Sequence, residues 1–203
     1  MASQSSGALA EETGAGKMVI VGLDTETTGF SFTDKKDRIV EACFAIYTYD
    51  GKVLEHKRTI TQRINPERSI PADAQAVHGI SLDDVKGSPK WAEFADTAKK
   101  ILDRADMVVI HNAAFDVDFL VNEQLAAGQP LTGSLADKSF CTMVNGRWAT
   151  FDGKSPSLKE LCWSLGIEYD PSKAHAAEYD VHVMMACYEK AVTLGLFTNP
   201  TNQ

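Results

Sequence analysis

The 203-residue chain has few of the features that would assign it quickly. Its four cysteines, Cys43, Cys141, Cys162 and Cys187, include no C-x-x-C pair. That spacing excludes a zinc-finger type of site and offers no disulfide framework, so buried free thiols in a reducing cytoplasm are expected. No apolar run approaches the length of a membrane span. The opening MASQSSGALAEETGAG lacks the basic and apolar regions of a signal peptide. Small and polar, residues 1–16 are expected to form a disordered tail and 197–203 a C-terminal tail, leaving 17–196 as one folded domain. Positive charge is also scarce: 20 Lys and Arg stand against 28 Asp and Glu, a formal net charge of −8. A protein that coats long duplex DNA carries a basic excess. A nucleic-acid role is therefore open to this chain only if its carboxylates gather around bound cations.

What is present is an α/β pattern. Lys17 to Asp24 (KMVIVGLD) reads as a buried central strand. Arg38 to Tyr49 and Val53 to Ile64 are strand-like runs on either side of Asp50-Gly51, a hairpin signal. A loop with two prolines and room for one helical turn follows, from Asn65 to Ile80. Ser88-Pro89 opens a helix through Leu102, with Trp91, Phe94, Ala98 and Ile101 at helical spacing. Asp106 to His111 is a second buried strand, and Ala113 to Ala127 a helix stopped by Gly128 and Pro130. A short edge strand over Phe140 to Met143 and helices over Ser157–Leu165 and Ala176–Leu194 complete the chain. Three meandering strands followed by alternating helices and strands predict a mixed sheet with helices on its faces.

Three places put acids where chemistry is expected. In Asp24-Thr25-Glu26, at the end of the first strand, residues two apart point to one face, so both carboxylates project together. Such a pair needs a proton, a basic residue or a metal, and no Lys or Arg is adjacent; hard divalent cations take oxygen ligands. In isolation a D-x-E triplet is more often a solvated turn. Asp116 lies in the first turn of a helix, with Phe119 and Leu120 as its i+3 and i+4 neighbours, so its carboxylate is expected to face the sheet. The bland alternative is an acid favoured by the helix dipole. Asp180 heads an apolar stripe through Met184, Cys187, Ala191 and Leu194, a costly place for an unpaired charge. His175, five residues earlier and off that stripe, suits a loop imidazole that can exchange a proton. Each bland reading is respectable singly; three acids and a histidine delivered to one sheet edge are not explained that way.

These motifs, LDTETTG, HNAAFD and HAAEYD, resemble in order and spacing the three motifs of the DnaQ-like (DEDDh) exonucleases. The segment NPERSIPADAQAVHGIS resembles the family's loop before the second motif, and the likeness runs from about Val19 to Val192. Within the family, the chain resembles the epsilon proofreading subunits of bacterial replicative polymerase and the exonuclease X group. The resemblance implies a ribonuclease-H-like five-stranded sheet and a 3′→5′ exonuclease releasing nucleoside 5′-monophosphates. It also implies two Mg²⁺ or Mn²⁺ ions held by Asp24, Glu26, Asp116 and Asp180, with His175 as general base. Thr27 would lie near the terminal sugar, and His78 and Phe115 against the terminal bases. Single-stranded or frayed DNA ends are the expected partner, with RNA as the alternative substrate.

The chain ends 23 residues after Asp180 (203 − 180), without the polymerase-docking segment of the epsilon subunits. A stand-alone exonuclease is therefore expected ahead of a proofreading subunit, and a binding module with a dead site would lack a ligand that this sequence retains. Local basic residues, among them Lys35, Lys36, Arg38, Lys57, Arg58, Arg63, Lys154 and Lys159, are candidates for contacts to a nucleic-acid backbone.

Overall fold

The computed structural model describes residues 16–202; the N-terminal tail expected over 1–16 falls, save Gly16, outside them. In chain order the elements are β1 (Met18–Thr27), α1 (Phe32–Lys35), β2 (Ile39–Tyr49), β3 (Leu54–Arg63), α2 (Ala72–His78), α3 (Leu82–Val85) and α4 (Trp91–Arg104). There follow β4 (Met107–Ile110), α5 (Ala113–Ala126), β5 (Ser139–Cys141), α6 (Thr142–Asn145), α7 (Leu158–Ser164) and α8 (Ala177–Thr193). The strands form one five-stranded sheet in the order β3-β2-β1-β4-β5. β1, β2 and β3 pair antiparallel, whereas β4 joins β1 and β5 joins β4 in parallel.

The local chemistry explains most boundaries. The Asp50-Gly51 turn forms as expected: Gly51 takes φ 95°, and the Asp50 carboxylate accepts the backbone N–H groups of Lys52 and Val53 at 2.9 and 2.8 Å. The helix expected from Ser88-Pro89 starts at Trp91 instead, because the Pro89 carbonyl accepts the Asn65 N–H and Lys90 bridges to Asn65. The loop expected from Asn65 to Ile80 holds one short helix, α2, of seven residues, and a second short helix follows it. The second, α3, is started by a reciprocal cap between Ser81 and Asp84. Phe197, the first residue of the expected C-terminal tail, is buried, its ring 5.0 Å from Phe140 and 6.2 Å from Tyr188. An aromatic side chain that can cover the end of a helix stays with the core.

Strand alternation divides the interior into two cores. Val21 and Leu23 point to the face covered by α4 and α5, with Trp91, Phe94, Phe119 and Leu120. Ile20 points to the other face, with Met184, Met185, Tyr188 and Leu161 from α8 and α7. Gly22 shares that second face. A Cβ placed there would lie 2.6 Å from Met185 Cγ and 3.1 Å from Val181 Cγ1. The missing side chain is what lets α8 lie directly on β1, two residues before Asp24. On the first face, Glu123 of α5 is 1% exposed and receives both Arg38 Nε at 2.7 Å and Arg38 Nη2 at 2.6 Å. This fork ties α5 to the start of β2.

The close approach generates a test. Gly22→Ala should cost about 1–3 kcal/mol by overpacking, read as a lowered midpoint in denaturant. Adding Met185→Ala, which opens the space, should recover part of the loss on the overpacking account. An unshifted midpoint for Gly22→Ala would show that α8 does not depend on this contact.

Candidate functional site

β1 continues past Asp24 to Thr27, one turn of the pleat further than expected, because β2 keeps pairing with it as far as Ile39 across an irregularity at Glu26/Thr27. The extension places Asp24-Thr25-Glu26 on regular strand, so the three side chains alternate. Asp24 and Glu26 fall on the face of Gly22, toward α8, and Thr25 falls on the face of Leu23, toward α5. Each face meets a different helix, and each helix brings an acid.

On the α5 face, the buried Asp116 carboxylate accepts two hydrogen bonds through Oδ1. One comes from the Thr25 backbone N–H at 3.0 Å and one from the Thr25 hydroxyl at 2.7 Å. Thr25 was not singled out in the sequence, though its place between two acids was a signal. On the α8 face, Glu26, His175 and Asp180 each offer a ligand atom, all within 4.8 Å of one another. Asp180 Oδ2 accepts the His175 backbone N–H at 2.8 Å, which pins the loop before α8 and leaves the His175 ring exposed. His175 has φ 61°, a left-handed conformation uncommon outside glycine. Asp180 Oδ1 is buried without a hydrogen-bond partner.

The charges at this sheet edge are uncompensated by protein. The surrounding cleft, about 440 Å³, is lined by Asp24, Glu26, Asp73, Asp116, Asp180 and three histidines, and no Lys or Arg is among its lining residues. Burial, followed by repulsion from Asp180, Glu41 and Asp116, raises the Glu26 carboxyl to about 9. Burial raises Asp116 to about 7 against the lowering effect of the Thr25 hydrogen bonds. Asp24 is pushed well above the carboxylate range by burial and then by Asp116, Glu26, Asp180 and Glu41. Burial also raises Asp180. Glu41, opposite Glu26 on β2, is held by Arg63 at 3.1 Å. An unpartnered buried oxygen, a set of hard oxygen donors and no neighbouring cationic side chain fit a site for divalent cations.

The remaining expected residues line the same cleft. Thr27 is buried, and its hydroxyl donates to the Gly29 carbonyl at 2.6 Å. Burial lowers the His78 imidazole; its Nδ1 accepts the Ile80 N–H at 3.0 Å, and Nε2 is buried without a partner. Phe115 is half-buried, 4.9 Å from the Phe119 ring. The cleft also includes residues not anticipated: Phe30, 80% exposed, and His111, which burial pushes down to about 4. Phe30 follows the first motif directly, and only its exposure distinguishes it from a core residue.

A family model described as Exonuclease matches residues 21–188. The chain belongs to the exonuclease family. This bears out the resemblance of the three motifs to the DnaQ-like 3′→5′ exonucleases. The DNA polymerase III epsilon subunit of Rickettsia felis is 31% identical over 173 residues, covering 82% of this chain and 70% of the relative. An epsilon-like protein of Rhodobacter capsulatus is 34% identical over 166 residues, covering 82% of this chain but 22% of its own length. Among solved structures, the zinc-bound E. coli exonuclease I complex with single-stranded DNA superposes with a TM-score of 0.74 at 18% identity, over 88% of this chain and 41% of that one. Exonuclease X in complex with 5′ overhanging duplex DNA gives 0.64 at 22% identity, over 90% of this chain and 95% of that one. The ribonuclease-H-like mixed sheet expected from the sequence is thus the fold of this exonuclease. Among the described residues, no helix is long and apolar enough to cross a membrane.

The raised carboxyls make the cation-free protein sensitive to alkali. Glu26 keeps its proton in the folded state from its ordinary 4.5 up to about 9. The stability tied to that proton is full below 4.5 and is lost as pH rises through about 9. Thermal unfolding with chelator should show a midpoint that falls across this window, and Glu26→Gln should flatten the fall. Excess Mg²⁺ or Mn²⁺ should restore the parent at high pH. A flat profile with chelator would contradict the electrostatic account.

Proposed function

We propose that this exonuclease removes nucleoside 5′-monophosphates from the 3′ ends of single-stranded or frayed DNA. Asp24, Glu26, Asp116 and Asp180 hold two Mg²⁺ or Mn²⁺ ions, and His175 acts as general base. The observation that carries this reading is the convergence of four carboxylates, from one strand and two helices, on a cleft whose lining has no Lys or Arg. When bound, the ions supply Lewis acidity toward the scissile phosphate and the attacking water.

The chain's own residues do the rest. The His175 ring stands exposed beside Glu26 and Asp180 and takes the proton of the attacking water as its oxygen bonds to phosphorus. The bond from phosphorus to the 3′-oxygen breaks, and that oxygen leaves on the shortened strand, to be protonated from solvent. The Asp180–His175 backbone hydrogen bond keeps base and ligand in register. Thr25 occupies one oxygen of Asp116 and leaves the other for a cation. Thr27 stands by the terminal sugar, while Phe115, His78 and the exposed Phe30 provide faces for the last bases; such stacking accepts any base. Four free cysteines are in keeping with a cytoplasmic enzyme. The epsilon-named relatives favour a second reading of its setting, in which the same reaction serves a polymerase partner.

Purified protein with Mg²⁺ and end-labelled oligonucleotides tests the assignment. Asp24→Asn should abolish nucleotide release while keeping the fold. His175→Ala should lower kcat by about a hundredfold to ten-thousandfold with little change in KM. Undiminished release by Asp24→Asn would remove the ligand role, and release from RNA ahead of the matched DNA would move the substrate class.

A further inference from the structure

Away from the cleft, two aromatic side chains stand in solvent without a fold-level reason. Phe151, at the apex of the loop between α6 and α7, is fully exposed, and Trp163 on α7 is 61% exposed. They line one groove of about 570 Å³ together with Lys154 and Glu160. Lys159 sits 4.5 Å over the Trp163 ring, and Arg147 stands at the foot of the loop. The loop is tied down: the Thr150 hydroxyl donates to the Lys154 carbonyl at 2.7 Å, and Arg147 Nε reaches the Ser155 hydroxyl at 3.4 Å. Its far end joins the cleft, because the Pro156 carbonyl lies against the His111 ring and His111 lines the cleft wall. Pro156 lies five positions after Phe151, a reach of at most about 18 Å.

We propose that the Phe151–Trp163 groove holds the upstream part of the single-stranded nucleic acid whose 3′ end lies in the cleft, with bases on the aromatic rings and phosphates on Arg147 and Lys159. The inference rests on the exonuclease reading and extends it to the course of the strand. Charge favours this occupant. Lys154 is paired to Glu160 at 2.8 Å and Asp152 lines the groove, but Arg147 and Lys159 beside it add two cations, so residues 147–160 carry an excess of one positive charge in a chain of net charge −8. Aromatics interleaved with cations are how proteins hold single strands without reading sequence. A protein partner would instead favour an apolar patch depleted of lysine.

The groove lies beyond the last nucleotides, so its contribution depends on substrate length. Phe151→Ala and Trp163→Ala, both at exposed positions, should raise KM by about tenfold for an oligonucleotide of about 12 nucleotides, within the span of single-strand sites. KM for a dinucleotide and kcat for both substrates should stay as in the parent, and Trp163→Phe should recover most of the loss. The same length-dependent loss should appear in calorimetric binding to an Asp24→Asn background, where no turnover is needed. Equal KM for long and short substrates in parent and variants, or equal binding in the Asp24→Asn background, would overturn the proposal, including where the aromatic variants instead lose capture of a protein. Should the parent release no nucleotide, the exonuclease reading fails by itself, and the calorimetric comparison still decides the groove.

Discussion

The mutual repulsion of carboxylates held out of water is the constraint on which this structure turns. Asp24, Glu26, Asp116 and Asp180 raise one another or are raised by burial, so their assembly works against folding unless protons or cations neutralise it. The two cores supply what holds them together. α5 is locked to β2 by the Arg38–Glu123 fork and to α4 by the Trp91–Gln124 hydrogen bond of 2.9 Å. α8 is seated on β1 over Gly22. Neither helix is free to relieve the charge by moving away.

The same arrangement divides the labour among neighbouring residues on β1. Even positions look toward α8 and deliver Glu26 to Asp180 and His175, with Asp24 facing the charges of both Asp116 and Asp180. The odd position, Thr25, looks toward α5 and orients Asp116. A one-residue slip of the strand would exchange the faces and scatter the acids. Long pairing with β2 opposes such a slip, from Met18 opposite Tyr49 to Thr27 opposite Ile39. An acidic protein can serve a polyanionic substrate under these conditions. The negative charge is concentrated where cations fit, and Arg147 and Lys159 beside the Trp163 groove give residues 147–160 a small excess of the opposite sign.

Much of the fold was legible in the residues because its signals are local. The Asp50-Gly51 turn, the helical spacing of Trp91, Phe94, Ala98 and Ile101, and the stop at Gly128 each act within a few positions. α1 and α3, four residues each, carry too few apolar positions for a periodic signal. α4 starts later than Ser88-Pro89 suggests because a tertiary bridge to Asn65 claims the residues that resemble its cap. Phe197 reads as tail in the sequence because only its contact with Phe140 and Tyr188 reveals that it is core.

By itself the sequence determined the acids, their order and their family: D-x-E on an extended backbone shares a face whatever surrounds it, and the three motifs name the exonucleases. Only the tertiary structure decided how those acids divide between helices and what completes the cleft. Thr25 serves Asp116 because the sheet's two faces meet different helices, and Asp180 reaches Glu26 because Gly22 lets α8 approach. The exposure of Phe30, Phe151 and Trp163 was likewise decided there, since an aromatic residue in a sequence reads as core until its neighbours are known. Alternation and spacing are properties of the chain; proximity between residues 24, 116 and 180 is a property of packing.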